Sequence, residues 1–421
     1  MTAAVKPVPE MAPPPRGAVL FIFVTVLLDI MALGMVAPIL PGLVRQFVEG
    51  NTSQAAVIYG VFNAVFALMQ FFCSPVIGSL SDRFGRRPMI LASNIGLGLS
   101  YAAMAWAPNL IWLFIGRVVS GVTGASFAIA SAYVADTTSP EKRAGAFGLL
   151  GAAFGVGLVL GPGIGGMLGS YGIRLPLYVA GACSLANALY GLFVLPESLP
   201  KALRLDFSWR RANPIGALVL LRRHPELSGL AGVSFVSTLA QVSLPSTIVL
   251  YATYRYGWTL QTLGVTLTLV GIALVLAQVI VVPRAIKWMG SRRSIIVGLI
   301  FGAAGMVIAG LAPTGDILWL GIPVLALWGI FGAAAQSLMT RHVSAGEQGQ
   351  LQGATSSLTG ISELVGPLIF PLVFAWFVRP GQPMALSGAP FLLAAVLLVL
   401  GAVWAWWATR PEVDPLASED D

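Results

Sequence analysis

Apolar stretches too long for anything but membrane-spanning helices occupy almost the whole chain. Twelve can be marked off, at 17–41, 54–80, 87–107, 109–136, 143–170, 173–196, 227–253, 259–286, 293–312, 316–340, 347–378 and 386–409. Most exceed the roughly 20 residues a helix needs to cross the hydrocarbon core, with a margin for tilt. In lipid every backbone N–H and C=O needs a partner within the fold, which leaves helices and closed barrels as the spanning structures. The short alternating segments of a barrel are missing, so the expected fold is an all-α membrane protein of twelve transmembrane helices. Composition fits: 57% of the residues are hydrophobic and 10% charged, where soluble domains carry roughly 25% charged residues. The 48 glycines weaken helices in water but let helix backbones approach closely in lipid.

The basic residues orient the spans. Of the 24 Lys and Arg, Arg45, Arg174, Arg255 and Arg379 fall in the loops of one side and Arg117 falls inside a span. The rest lie on the other side, with both termini. Loops rich in Lys and Arg stay cytoplasmic, so both termini are expected inside, in a multi-pass protein of the inner (plasma) membrane. The same bias accounts for the net charge of +7 without a nucleic-acid partner. The longest inner connection, 197–226, divides the spans six and six. The ends, 1–16 and 410–421, read as tails, the first Pro-rich and disordered. The halves, 17–196 and 227–409, echo each other. GSLSDRFGRRPMI joins spans two and three, and PRAIKWMGSRRSII joins spans eight and nine; span five carries LGPGIGG, and span eleven LVGPLIF. Two related six-helix halves joined by a basic inner loop are the organisation of a secondary transporter.

Other classes find little support. Cys73 and Cys183 sit in separate apolar segments and imply neither a disulfide nor a metal site. His224 and His342 lie near loops and build no catalytic cluster. No nucleotide-binding loop, zinc motif or nucleophile–base pair is apparent, so no cofactor, metal, ATP drive or enzyme activity is expected. A receptor would need a sizeable soluble output domain, and the two short tails do not supply one.

Two motifs carry chemistry. In Gly78-Ser-Leu-Ser-Asp82-Arg83-Phe-Gly85-Arg86-Arg87, Gly78 is read as permitting close helix contact and Gly85 as allowing a tight turn. Arg86 is then placed to pair with a carboxylate, and Asp136, at the inner end of span four, is the expected partner. Such a pair can latch one conformation and break in another; a merely positive loop is the plainer alternative. In span five, Gly151, Gly155, Gly161, Pro162, Gly165 and Gly166 give one helix a smooth face, with a bend where Pro162 removes a donor. Ordinary small-residue packing is the alternative there.

GSLSDRFGRRPMI resembles the signature loop of the major facilitator superfamily, and the span-five glycines resemble the motif of its drug–proton antiporters. LLDIMALGMVAPILPGL, GRVVSGVTGASFAIASAYVADTT and EQGQLQGATSSLTGISELVGPLIF, in spans one, four and eleven, are similar to the tetracycline–proton antiporters. The resemblance implies two pseudo-symmetric six-helix bundles around a central cavity. It also implies export of an amphipathic drug in exchange for protons. A monomer in the lipid bilayer is expected, with a small-molecule drug and protons as its partners. Export of a sugar or other endogenous metabolite on the same fold stays open as the alternative.

Three charges sit inside the spans. Asp29 lies 13 residues past Arg16 and 12 before Pro41, roughly 18–20 Å from either end and so near mid-bilayer. A charge there costs about 2.5–3.5 kcal/mol even on the lenient insertion scale, so it must face a cavity, pair, or be protonated. The resemblance makes it a proton-coupling candidate; a structural Asp held by nearby donors is the alternative. Glu363, 12 residues after Leu351 and 15 before Val378, is a second candidate at similar depth. The family's essential Asp of helix nine is missing here, so Glu363 either takes over that role or marks a different substrate. Arg117, linked to proton transfer in resembling families, reads equally as a residue snorkelling to the outer surface. Candidate cavity residues are Asn63, Phe66, Gln70, Phe235, Gln241, Gln278, Trp328, Phe331 and Gln336, with helix bridging and simple packing as the alternatives.

Overall fold

A computed structural model describes residues 18–139, 142–209, 213–344 and 347–409. The expected tails, 1–16 and 410–421, lie outside the described residues. The spans are α1 (Leu20–Phe47), α2 (Thr52–Phe84), α3 (Arg86–Ala105), α4 (Leu110–Thr137), α5 (Gly145–Tyr171) and α6 (Leu175–Val194) in the first half. In the second half, α7 (Leu227–Tyr256) is followed by a continuous segment, Leu260–Leu311, then α10 (Gly315–Arg341), α11 (Gln348–Phe377) and α12 (Leu386–Ala408). A straight helix of 52 residues would run to about 78 Å, more than twice the roughly 30 Å hydrocarbon core. It does not run straight: Gly290 has φ 74° and ψ 165°, a left-handed break that glycine tolerates. The segment is therefore two spans, α8 (260–289) and α9 (291–311), and the described residues carry the expected twelve.

Local chemistry sets several boundaries. Asn51, Asn109 and Thr259 begin α2, α4 and α8 by accepting bonds from the first free N–H groups of each helix. Gly257 ends α7 in the left-handed conformation, φ 65°. Span one, expected to stop at 41, continues to Phe47. The bonds from Ala37 N–H to Gly34 and from Ile39 N–H to Val36 tighten a turn around Pro38, and the helix resumes beyond it. Within α8, Ala277–Val281 forms a π segment around Gln278.

The spans pack as two bundles, α1–α6 and α7–α12, joined chiefly by two helix pairs, α2 with α11 and α5 with α8, with smaller contacts of α7 on α1 and α2. The hydrogen bonds between the bundles lie between the far end and mid-span, while the α2–α11 packing reaches further, to Phe71 against Gly360. Ser53 Oγ donates to Ala375 O at 2.8 Å, Tyr59 OH to Pro245 O at 3.3 Å and Thr268 Oγ1 to Val159 O at 2.9 Å. A Cβ on Gly264 would lie 2.8 Å from Gly166 Cα, so the α5–α8 seam closes backbone to backbone. Toward the linker the same helices part. A Cβ added at Gly78, Gly145, Gly148 or Gly151 would meet nothing within 4 Å. The protein is sealed at this far end and splayed at the linker end. The linker touches both rims: Leu205 N–H bonds Asp82 O, Ser208 N–H reaches Ser79 Oγ at 3.5 Å, and Ser357 Oγ of α11 donates to Pro214 O.

Candidate functional site

The loop after α2 is a charged knot. Gly85, at φ 108°, turns the chain so that α3 starts immediately with Arg86. Its guanidinium lies 2.6 Å from Asp82, 2.9 Å from Asp136 and 2.6 Å from Ser81 Oγ. Arg86 is 8% exposed, and in such partial burial two carboxylates and a hydroxyl compensate lost hydration. The Arg86–Asp136 pair is the one expected from the sequence. Glu197, which the sequence reading missed, accepts the Arg86 backbone N–H at 2.8 Å and pairs with Arg204 at 3.7 Å. It sits in the linker's PES tripeptide, where nothing local separates it from an ordinary loop acid. Arg87 donates to Leu192 O and Arg83 stacks on its neighbour Phe84. The expected close contact at Gly78 is absent in this conformation, because the helices part there.

The α5 motif divides in the same way. A Cβ on Gly161 would sit 2.7 Å from Met31 O and 2.8 Å from Gly34 Cα, and one on Gly34 would sit 2.9 Å from Pro162 Cδ. Gly165 meets Met35, and Gly166 meets Leu260 and Gly264. These three glycines are required by contact with α1 and α8. Gly155 finds only Val275, at 3.7 Å, and Gly151 finds open space, since both lie on the splayed side.

Asp29 does not face the open space. It is 8% exposed and turned into the first bundle, toward α3, α4 and α6. Asn187 of α6 donates from Nδ2 to Asp29 Oδ1 at 3.2 Å, to Thr25 O at 3.2 Å and to Asn94 Oδ1 of α3 at 3.0 Å. The Ser126 side chain of α4 is close enough to act on the carboxyl, yet Ser126 Oγ and Asp29 Oδ2 have no hydrogen-bond partner. The sequence placed Asp29 at the right depth but left its direction open. Asn94 and Asn187 are legible in hindsight as lone amides in apolar spans.

Arg117 is likewise inside the bundle, 6% exposed. It donates to Asn63 Oδ1 at 2.9 Å and lies over the Phe66 ring, 4.2 Å from its centroid. The snorkelling alternative is thereby excluded: Arg117 turns to α2, not to the outer surface. Gln70 ties α2 to the α4 break, donating to Gly124 O at 3.2 Å. Asn63, Phe66 and Gln70 thus spend their polar atoms or faces within the first bundle.

Glu363 differs from both buried charges. On α11 the exposed apolar residues Leu368, Leu372 and Trp376 mark the lipid face. Glu363 is exposed on the opposite side, in line with exposed Gln352 and Ser356 at helical spacing. Gln336 of α10 bonds Gln352 there at 3.1 Å, and Gln241 and Gln278 are exposed on α7 and α8. Phe235 is half-buried, its carbonyl accepting from Ser362 at 3.3 Å. Two expected lining residues are corrected. Trp328 and Phe331 are each 6% exposed and packed inside the second bundle, because the α9 glycines admit them. A Cβ on Gly302 would lie 2.8 Å from the Trp328 ring, and one on Gly298 would lie 2.9 Å from Phe331 Cα. Trp328 Nε1 donates to Ser237 at 3.0 Å, which satisfies its one polar atom. Among the described residues no cluster of His, Cys, Asp and Glu suits a metal ion.

The chain matches the family described as Major Facilitator Superfamily over residues 22–367, and again over 230–421. The second match begins near the start of α7, as a repeated half would. The tetracycline resistance protein, class C, of Escherichia coli is 38% identical over 393 residues, covering 92% of this chain and 98% of that one. The class B protein of Escherichia coli is 34% identical over 359 residues, covering 83% and 87%. Among solved structures, the nucleoside transporter NupG superposes with a TM-score of 0.77 over 94% of this chain and 100% of its own, at 13% identity. That likeness concerns the fold alone.

Proposed function

Because this chain belongs to the major facilitator superfamily, we propose that it is a proton-coupled secondary exporter of amphipathic drugs, tetracycline-like or broader, working by alternating access. The observation that carries this reading is the near end-to-end similarity to proteins named for tetracycline resistance. The physical arrangement supports it. Two bundles, α1–α6 and α7–α12, meet mainly along two seams that close backbone to backbone at one end and leave glycines in open space at the other. The Lys and Arg bias makes the linker end and both termini cytoplasmic. The described state then accepts substrate from the cytoplasm and must rock to release it outside.

Each part has a role in that cycle. Arg86, held by Asp82 and Asp136 and braced by Glu197, ties α2, α3, α4 and the linker start into one block. The glycines of α5 form the seam that opens and closes. Asp29 and Glu363 are the two mid-span carboxyls that can carry protons, with Arg117 fixing the charge balance of the first bundle. Glu363, exposed and opposite the lipid face, supplies a second acid in place of the one missing from α9. A proton moving inward through a 100 mV potential supplies about 2.3 kcal/mol.

The test is drug-driven proton flux in everted vesicles, across tetracyclines, cationic dyes, phenicols and sugars. Asp29→Asn is expected to insert normally and to abolish the drug-driven proton signal. Full coupling by that variant removes Asp29 from the mechanism. Efflux of a sugar with no response to any drug sinks the drug-exporter reading.

A further inference from the structure

The buried carboxyl of Asp29 has a bonding problem that its neighbours reveal. Asn187 Nδ2 carries two hydrogens and lies within reach of three acceptors: Asp29 Oδ1 and Thr25 O at 3.2 Å, and Asn94 Oδ1 at 3.0 Å. Asn94 cannot leave the contest, since its own Nδ2 is committed to Ile90 O at 3.1 Å. Thr25 O also accepts the helical Asp29 N–H, so Asp29 Oδ1 and Asn94 Oδ1 are the acceptors that depend on Asn187. Asp29 Oδ2, Asn187 Oδ1 and the hydroxyls of Ser126 and Thr25 are buried without partners. Those hydroxyls can donate or accept, and burial makes the Asn187 hydrogen on Asp29 Oδ1 count for more than it would in water.

A proton on Asp29 Oδ2 changes what the carboxyl asks of these neighbours. The carboxyl becomes a donor, with the Ser126 hydroxyl beside it as acceptor, and it no longer needs the Asn187 hydrogen. Asn187 then serves Thr25 O and Asn94 Oδ1 together. We infer that Asn187 is a positioning residue that reads the protonation state of Asp29, by dividing its two hydrogens among α1, α3 and the carboxylate. The signal passes to α3 and α6, the helices packed behind α1, and not to the substrate space. This inference rests on the reading of Asp29 as a proton carrier.

Other charged or titratable groups around the site are few. Tyr101 of α3 and Arg117 of α4 share its electrostatic surroundings. On α6, Cys183 is half-buried and Tyr190 stacks on Phe21. Between its ends α5 brings no titratable side chain. None of these hydrogen-bonds to Asp29 among the described residues.

The two asparagines give predictions of opposite sign. Asn187→Leu keeps the volume and removes the donor to the ionised carboxyl, so protonation is favoured. Asn94→Leu removes a competing acceptor and frees an Asn187 hydrogen for Asp29, so ionisation is favoured. The readout is the infrared carbonyl band of the protonated acid, titrated on the purified full-length protein in lipid. The difference against Asp29→Asn isolates the Asp29 band. Asn187→Leu is expected to raise the titration midpoint by about one pH unit or more, the size of one hydrogen bond to a charged group. Asn94→Leu is expected to lower it, and Asn187→Ser, which keeps one donor, to fall between wild type and Asn187→Leu. Midpoints that all stay at the wild-type value, or that move in one direction for both leucine variants, overturn the inference. The titration needs no transport, so failure of the exporter reading appears separately, in the vesicle flux.

Discussion

The α5–α8 seam makes a quantitative prediction. A methyl group added at Gly264 would sit 2.6 Å from Pro162 O and 2.8 Å from Gly166 Cα, whereas ordinary contact begins at 3.4 Å. Both obstacles are backbone and cannot rotate away, so Gly264→Ala must push α8 from α5 by about 0.8 Å at the far end. Overpacking of this kind costs about 1–3 kcal/mol, and it falls on the state in which the far end is sealed. That shifts the balance between the sealed and the open far end by roughly 5- to 150-fold. The assay is a spin–spin distance across the far end, with labels at Gln54 and Gln382 in a background where Cys73 and Cys183 are alanine. Both label sites are exposed, one on each half. Gly264→Ala is expected to move the distribution to longer distances, and Gly151→Ala, whose methyl meets open space, to leave the sealed population in place. A parent-like distribution for Gly264→Ala refutes the argument that backbone contact seals this end. Equal shifts for the two variants refute the argument that the contact is local to the far end.

Further outcomes follow from the charged knot and the linker end. Asp136→Asn leaves Arg86 with one carboxylate partner instead of two. Since the pair is partly exposed, the loss is discounted to about 1–2 kcal/mol, visible as a lower unfolding temperature in detergent. Gly85→Ala is strained twice, by its φ of 108° and by a methyl aimed into the Glu197 carboxylate; it should lower the unfolding temperature more than Gly78→Ala, which meets open space. Glu347 is held below the usual carboxylate range by the Ser344 hydroxyl first, then by the Ser344 N–H and His224. A lowered folded value means its stabilisation is present above the unfolded carboxylate range and fades as pH falls through the folded value. Ser344→Ala should therefore cost stability at neutral pH, and its difference from wild type should shrink in acid, as unfolding temperatures across pH will record.

The sequence carried more of the fold than of the site, for physical reasons. Span number follows from apolar length, and the Leu260–Leu311 segment was divided correctly because PRAIKWMGSRRS announces an inner loop even where the helix barely breaks. The Arg86–Asp136 pair was legible because Gly, Asp, Gly and Arg stand at spacings a turn requires. Side-chain direction was not legible. Asp29 and Glu363 have similar depths and similar apolar flanks, yet one turns into a bundle and the other away from lipid. What decides is the partner across the gap, Asn187 for Asp29, and a residue 158 positions away leaves no local trace. Trp328 and Phe331 were misplaced for the same reason: the glycines that receive them, Gly302 and Gly298, lie on a different helix.

The linker's two anchors set a dimension. Ser208 N–H reaches Ser79 of α2 at 3.5 Å, and Pro214 O accepts from Ser357 of α11. The six chain steps from Ser208 to Pro214 can span at most about 22 Å when fully extended. The mouth at this end therefore has a mechanical stop: the rims of α2 and α11 cannot part further than that leash allows while both anchors hold. Inserting a few flexible residues between Ser208 and Pro214 would loosen the stop without touching a single residue of the cavity wall.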